Sequence, residues 1–237
     1  MISMIPTLAL APLMVTLLQA PAPAPEALTY RFEEVKRSVL RQPGGDKAKE
    51  TKVAKGDSAL PGDEVTTGWW AQTTISVPER ASRFEVYANT QVKLATSEPG
   101  VLLMVERGRI KAFFQSLVEG NRQERQVAVP GALLAVRGTR YGVEVDKNGK
   151  STLVVFEGVV EVLHKAPRTE SIRVKAGEWA TFGPNTLPQI QPMSMRGFQE
   201  GSWNQGMHPD GTMGPGAMSP GSMQKGSAPM GPGPMHH

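Results

Sequence analysis

The sequence of 237 residues contains no cysteine. This absence excludes a disulfide framework, thiolate zinc sites, a cysteine nucleophile and the acylated cysteine of a lipoprotein. Histidine is also scarce, and His164 is the only one between residues 28 and 190. A histidine-dependent triad or a histidine-rich metal centre cannot be assembled there. Because G-x-S-x-G and H-E-x-x-H motifs are absent too, we predict a protein without catalytic residues, cofactor or metal site, and not an enzyme.

Strong charge of one sign is missing as well, since the formal net charge is only +4. Nucleic-acid-binding proteins usually carry denser basic stripes, so we expect no nucleic-acid partner. A mild positive charge does raise the non-specific affinity for anions such as phosphoglycans or lipid head groups.

Residues 1–27 differ from the rest of the chain. The first twenty residues contain no charge, and the apolar run from Leu8 to Leu18 resembles the hydrophobic region of a signal peptide. An alternating Ala-Pro spacer follows at residues 21–25. We expect export to the periplasm or beyond, with a cleaved N-terminus or an uncleaved one that associates with the membrane.

Residues 191–237 are dominated towards their end by Gly, Pro, Met and Ser, without helical or strand periodicity. We predict a disordered tail. Six methionines from Met207 to Met235, together with His208, His236 and His237, are soft ligands that suit Cu(I). Copper handling through this tail is therefore an alternative function, although flexible spacings of five to seven residues between the methionines argue against it.

Residues 28–190 show short β-branched runs separated by turn residues. The clearest element is a hairpin over residues 141–156, with a type I′ turn predicted at Asn148 and Gly149. Further predicted strands cover residues 35–40, 64–67, 73–77, 83–87, 91–95, 102–106, 109–114, 126–129, 133–136, 159–164, 171–174 and 179–182. This pattern predicts an all-β domain, either a short stacked β-coil of the solenoid kind or a flattened β-sandwich.

A weak internal repeat bears on that choice. Residues 103–112 and 154–162 each contain an apolar strand, a Glu and a Gly, and a second alternating strand, while Gly138 and Gly177 occupy related junctions. Glycine at such positions indicates a corner that recurs as one strand passes to the next. The alternative is that glycine simply punctuates any β protein.

Several motifs occur in a recognisable order. They lie at residues 55–68 (KGDSALPGDEVTTG), 88–94 (ANTQVKL), 105–110 (VERGRI), 127–132 (VAVPGA), 135–141 (AVRGTRY), 155–162 (VFEGVVEV) and 174–178 (VKAGE). In this order the chain resembles the periplasmic domain of the FecR family, known from iron-dicitrate signalling.

The resemblance implies an exported β domain that binds, senses or scaffolds in the bacterial cell envelope, through an unknown envelope protein or polymer. Because only a signal-like stretch precedes the matching motifs, we expect no cytoplasmic sigma-factor-binding segment like that of family regulators, and a signalling role through a sigma factor is not carried over. The matching motif residues, expected to be structural, are Gly62, Asp63, Arg137, Gly138, Thr139, Glu157 and Gly158.

Three further positions stand out. Arg137, between apolar neighbours, is expected to pair with a buried carboxylate such as Glu157, because a desolvated guanidinium needs a partner; anion capture is the functional alternative. Trp69 and Trp70 follow a glycine, and strand alternation predicts one buried and one exposed ring, with a glycan site as the alternative. His164 is expected to be exposed or to cap a strand end.

Overall fold

The computed structural model describes residues 28–95, 98–116, 124–165, 170–193, 198 and 200–214. The predicted N-terminal signal-like segment and residues 215–237 of the predicted tail lie outside these ranges. The strands formed by the described residues are, in chain order, β1 (Tyr30–Lys36), β2 (Val39–Gln42), β3 (Thr51–Lys52), β4 (Ser58–Ala59), β5 (Glu64–Thr67), β6 (Gln72–Val77), β7 (Ser82–Val86), β8 (Gln91–Leu94), β9 (Val101–Phe114), β10 (Gln126–Val129), β11 (Ala132–Val136), β12 (Arg140–Val145), β13 (Ser151–Glu157), β14 (Val159–His164), β15 (Glu170–Lys175), β16 (Glu178–Gly183) and β17 (Thr186–Pro192). One α-helix, α1 (Glu200–Asn204), and 3-10 turns at Pro43–Gly45, Lys47–Lys49 and Pro78–Arg80 complete these elements.

The strands form one curled, mostly antiparallel sheet with two layers that meet in β9. Layer A has the order β4-β1-β6-β7-β9-β12-β13-β16-β17. Layer B has the order β3-β2-β5-β8-β9-β10-β11-β14-β15. The pairing of β9 with β10 is parallel, and the other pairings are antiparallel. The all-β prediction is confirmed, and the strands form a curled sheet whose layers meet in β9.

A single apolar core lies between the layers. Strand alternation directs one face of each layer inward. Three aromatic rings pack at its centre: Phe84 meets Phe114 edge to face at 5.7 Å, and Phe114 stacks on Tyr141 at 6.1 Å. The Tyr30 hydroxyl donates to the Leu102 carbonyl at 2.6 Å. This core is large enough to hold the layers together without disulfide bonds.

Glycines mark the places where the chain changes layer. The path of β9 passes from layer B to layer A at Gly108, β11 hands over to β12 at Gly138, β13 to β14 at Gly158, and β15 to β16 at Gly177. These glycines have φ between +63° and +91°. The repeat inferred from the sequence is thus a repeated corner, and it accounts for the resemblance between residues 103–112 and 154–162.

The structure differs from the predicted strands in several places, and the short strands β3 and β4 were not predicted. Residues 35–40 contain a corner at Arg37, so one predicted strand is two. Residues 102–106 and 109–114 form the single long strand β9. Strand β17, which contains Pro188 and Pro192, was not predicted; it lies at the edge of layer A, where a missing N–H is tolerated.

The predicted hairpin forms, but its turn is of another type. Gly149 has a φ of +79°, whereas Asn148 is not in the positive region that a type I′ turn requires. The Asp146 carboxylate instead accepts hydrogen bonds from the backbone N–H groups of Asn148 and Lys150, at 2.8 and 2.9 Å. The turn is therefore stabilised by hydrogen bonds to the Asp146 side chain, and it does not need a positive φ at Asn148.

Candidate functional site

Several charged side chains lie close together on the outer face of layer A. Arg109 and Lys111 project outward from β9, because Ile110 and Ala112 between and beside them face the core. Glu144 projects from β12 on the same side, and Gly142 leaves a flat place beside it. A two-residue alternation of this kind predicts a solvated face, yet Arg109, Lys111 and Glu144 are all at least nine-tenths buried.

The C-terminal residues 200–214, which we name the C-terminal segment, bury this face. Helix α1 places the fully buried Trp203 directly over Gly142, and a methyl group at that glycine would lie 2.4 to 2.8 Å from ring atoms of Trp203. Val154 and Trp179 complete a small apolar cluster around the ring. Gly206, with a φ of +94°, then ends the helix and turns the chain.

The order of this segment differs from the predicted disordered tail. Residues 200–214 include enough anchoring groups, Trp203 above all, to offset the entropy cost of ordering a glycine-rich chain. The overall composition of residues 191–237, rich in Gly, Pro, Met and Ser, gave no indication of these anchoring residues. The copper alternative concerns this segment too: the His208 ring lies 3.0 Å from Glu144 and 3.2 Å from the Thr212 hydroxyl, while Met218 and the ligands beyond it lie outside the described residues.

Arg109 is the main polar contact between the sheet and the segment. Its Nε donates to Glu144 Oε2 at 2.5 Å, and its Nη2 also pairs with that carboxylate. Its Nη1 donates to the backbone carbonyl of Trp203 at 2.7 Å, and Nη2 to that of Gly206 at 3.1 Å. The guanidinium also lies 4.4 Å from the centre of the Trp203 ring, in a cation–π contact. One buried cation thus holds both the side chain and the backbone of the segment.

A second ionic cluster lies beside it. The Lys111 ammonium is 2.9 Å from Glu85 and 3.1 Å from Glu200 of helix α1, and it donates to Asn204 at 3.3 Å. Tyr87 donates to Glu85, with its hydroxyl also 2.7 Å from Asn204 Oδ1. Burial, and then the negative charge of Glu85, raise the pKa of the Tyr87 phenol, so it stays a neutral donor.

Two of the motif residues, Gly62 and Asp63, hold a turn away from this face. The buried Asp63 carboxylate accepts from Arg41 Nε at 2.7 Å and from the backbone N–H groups of Gly44 and Leu60, both at 2.9 Å. Gly62, with a φ of +91°, donates its N–H to the Leu94 carbonyl at 2.6 Å. These contacts link the start of β5 to the chain before β3.

Gly138, Thr139 and Gly158 come together at one corner. Thr139 is buried, and a methyl group placed on Gly158 would lie 2.6 Å from its Cγ2 and 2.8 Å from the Gly138 carbonyl. The predicted pairing of Arg137 with a buried Glu157 is wrong. Both side chains are exposed, and Glu157 instead lies 3.3 Å from Arg140. Arg137 is at the corner itself, where its charge reaches solvent without a buried partner.

Two further predictions need correction. Trp69 and Trp70 are both exposed, by 69% and 47%, because they lie in the turn between β5 and β6 rather than in a strand with alternating faces. His164 is fully buried, with Nε2 2.8 Å from the Gly183 carbonyl. Its strand, β14, lies between β11 and β15 and offers no exposed end at that position.

The sequence did not identify Arg109, Lys111, Glu144 or Trp203. The alternation of charged and apolar residues in 109–112 could have drawn attention to this face, but such alternation normally indicates a solvent-exposed face. Within the described ranges there is no group of three or more His, Cys, Asp or Glu residues suited to a metal ion. A helix long and apolar enough to cross a membrane is likewise absent from the part of the chain that the structure describes.

Some known proteins are similar to this chain. No curated protein matches the chain. Two crystal structures of a candidate anti-sigma factor from Parabacteroides distasonis ATCC 8503 are similar to it, at 15% and 16% identity and a TM-score of 0.47 each. The match covers 60% of this chain and 64% and 65% of those chains, so this chain spans less than two thirds of their length. A family model described as FecR protein matches residues 63–161, from the Asp63 turn through the Gly138 and Gly158 corner to β14, and this part of the chain is similar to a FecR domain.

Proposed function

We propose that this protein is a non-catalytic, exported module of the bacterial cell envelope that senses or scaffolds by binding short polypeptide segments on the outer face of layer A. The FecR domain supports the sensing and envelope role. The C-terminal segment supports the binding mode, because it lies on that face as a peptide ligand would.

The observation that carries the proposal is the pair of hydrogen bonds from Arg109 to the backbone carbonyls of Trp203 and Gly206. Backbone carbonyls are present in any polypeptide, so this contact tolerates different sequences. Specificity comes from the flat place at Gly142, which accepts one aromatic ring. An aromatic anchor combined with main-chain hydrogen bonds is a recurring way of recognising peptides.

The C-terminal segment would then act as an internal ligand that a partner's segment replaces. Its attachment to the same chain gives it a high effective concentration. A partner must therefore bind more tightly, or be locally concentrated, before it displaces the segment. Such competition turns partner binding into a release of the C-terminal residues.

Peptide binding tests the proposal directly. A chain that ends at Pro192 leaves the face uncovered, and a fluorescently labelled peptide of residues 198–214 serves as the ligand. We expect saturable binding by fluorescence anisotropy. Arg109→Ala should weaken it by about tenfold or more, because hydrogen bonds to charged groups contribute about 1.5–3 kcal/mol.

Arg107→Ala is the matched control. Arg107 is an exposed cation two residues away, on the far side of the Gly108 corner, and its loss should leave peptide affinity unchanged. Circular dichroism must first show that the shortened chain is folded. Equal losses for the two variants, or no binding by the folded shortened chain, would overturn the proposed binding mode.

Export is tested separately. Residues 1–27 fused to alkaline phosphatase, an enzyme that needs its disulfides, should give activity only if they direct export, since disulfides form outside the cytosol. An inactive but intact fusion would contradict the envelope location and leave the peptide-binding result standing.

A further inference from the structure

The turn between β5 and β6 exposes two adjacent tryptophans. Residues 68–71 form a β-turn closed by a hydrogen bond from the Ala71 N–H to the Gly68 carbonyl at 3.2 Å. Trp69 and Trp70 occupy its central positions and are 69% and 47% exposed. The other two tryptophans of the chain, Trp179 and Trp203, are buried. Large apolar side chains exposed together usually mark a contact surface.

Backbone geometry makes these residues more notable. Trp70 has a φ of +62° at the third position of the turn, where glycine or asparagine is the usual choice. Arg37, at the neighbouring corner between β1 and β2, has a φ of +65° and is also exposed. Bulky residues in this conformation are strained, and strain at exposed positions indicates that the side chain serves a contact outside the chain.

These corners form one continuous edge. The Gly68 N–H donates to the Ser38 carbonyl at 2.9 Å, which joins the tryptophan turn to the Arg37 corner. The Asn89 N–H donates to the Gly68 carbonyl at 3.2 Å, which joins it to the corner between β7 and β8. Thr90, next to Asn89, packs so closely on Gly108 that a methyl group there would lie 2.4 Å from its hydroxyl oxygen. The tryptophans therefore lie between the Arg37 corner and the Gly108 corner.

Exposed cations lie at both ends of this edge. Lys36 and Arg37 stand at one end, and Arg107 precedes Gly108 at the other. The nearest acidic side chain on β1, Glu34, is 3.8 Å from Lys36, in a pair that is about 60% exposed on each side. Such an exposed pair is largely screened by solvent. Two interfacial rings flanked by cations match the layered chemistry of a membrane surface, where indoles lie at head-group depth and cations meet lipid phosphates.

We propose that this edge, with Trp69 and Trp70 at its centre and Lys36, Arg37 and Arg107 beside them, docks on an anionic lipid membrane. A glycan is the less favoured occupant, since sugar sites are concave with converging polar groups and these rings lie on a turn at the edge of the sheet. The inference is independent of the peptide-binding face, which carries Trp203 on the outside of layer A.

Bromolipid quenching of tryptophan fluorescence tests it with the full chain. Vesicles contain brominated phosphatidylcholine, either alone or with about one-third phosphatidylglycerol to supply anionic charge. We expect quenching with the anionic vesicles, and loss of that quenching in Trp69→Ala/Trp70→Gly. Lys36→Gln/Arg37→Gln should weaken vesicle affinity by about fivefold or more, as expected from the contribution of each cation near an anionic surface.

The tryptophan signal separates this edge from the apolar N-terminus, because residues 1–27 contain no tryptophan. Both double variants alter exposed positions, so neither should lower the melting temperature, and glycine in place of the strained Trp70 should if anything raise it. Vesicle binding without quenching would mean that another part of the chain docks, and would overturn the proposal. Equal quenching by neutral vesicles, or an emission shift with soluble dextran sulfate but not with vesicles, would overturn it as well.

Discussion

At the scale of single residues, the absence of a side chain at Gly142 decides where the C-terminal segment can lie. The Trp203 ring occupies the space that a β-carbon would take, 2.4 to 2.8 Å from the ring atoms. Arg109 then meets both the ring and the backbone that follows it. The glycine admits the anchor and the arginine holds it, so neither residue alone accounts for the site.

We predict that Gly142→Ala releases the C-terminal segment while the β domain stays folded. The methyl group collides with a rigid indole, and separation of the segment is easier than movement of β12, which pairs on both sides. Tryptophan emission should shift to longer wavelength as Trp203 enters water. Far-ultraviolet circular dichroism should be almost unchanged.

Gly201→Ala is the matched control for that prediction. Gly201 lies in helix α1, and a methyl group there meets nothing within 4 Å. Alanine also favours the helix by about 1 kcal/mol relative to glycine. An emission shift in this control as large as that of Gly142→Ala would contradict the account of the Gly142 contact.

Glu106 is expected to make the stability of the protein depend on pH. Burial, and then repulsion by Glu64, raise the pKa of Glu106 above its usual 4.5 in the folded protein. An acid with a raised folded pKa disfavours folding once it ionises, so this penalty appears as the pH rises through that pKa. Glu106→Gln should therefore raise the urea midpoint slightly at pH 7, because solvent screens much of the penalty at this partly exposed position. The gain should vanish in acid, and a gain that persists unchanged there would contradict this explanation.

At the level of secondary-structure elements, the repeated corner could be predicted from the sequence, whereas the strand pairing around each corner could not. The sequence places a glycine after a Glu in both 103–112 and 154–162, and both glycines prove to be layer changes. Whether the strand breaks there depends on its neighbours. Strand β9 stays continuous because it pairs with β8 before Gly108 and with β7 and β12 from Gly108 onward. Such pairing cannot be inferred from the local sequence.

Two corner glycines allow the energetic cost of backbone strain to be measured apart from the cost of close packing. Gly158 and Gly177 have φ values of +80° and +84°, yet a methyl group meets the Gly138–Thr139 corner at Gly158 and nothing within 4 Å at Gly177. Gly177→Ala should cost about 1–2 kcal/mol of unfolding free energy from strain alone. Gly158→Ala should cost about 1–3 kcal/mol more, from overpacking.

Urea unfolding of the two variants at matched pH measures the difference. A similar loss at both positions would show that the close approach at Gly158 relaxes without cost. A larger loss at Gly177 would contradict the placement of the Gly138 carbonyl against Gly158.

At the scale of the whole molecule, the sequence supported the fold class and the family, because alternation, turn residues and motif order are local signals. It did not support the candidate site. Arg109, Glu144 and Trp203 are far apart in the chain and meet through strand register and a returning segment. The site was hidden most of all by composition, since glycine-rich residues around Trp203 resemble a disordered tail while a few anchors suffice to order fifteen residues.

In this structure the C-terminal segment lies bound on the outer face of layer A. Hydrogen exchange of the full chain, followed by nuclear magnetic resonance, is the sharpest test of that placement. The N–H of Gly214 donates to the Gly206 carbonyl at 2.8 Å, and that of His208 to the Thr212 carbonyl at 2.8 Å. We expect these amides to exchange at least about tenfold more slowly than in an unstructured peptide, and Gly142→Ala to remove this protection without exposing the core strands. Exchange of both amides at unstructured rates in the unaltered protein would contradict it.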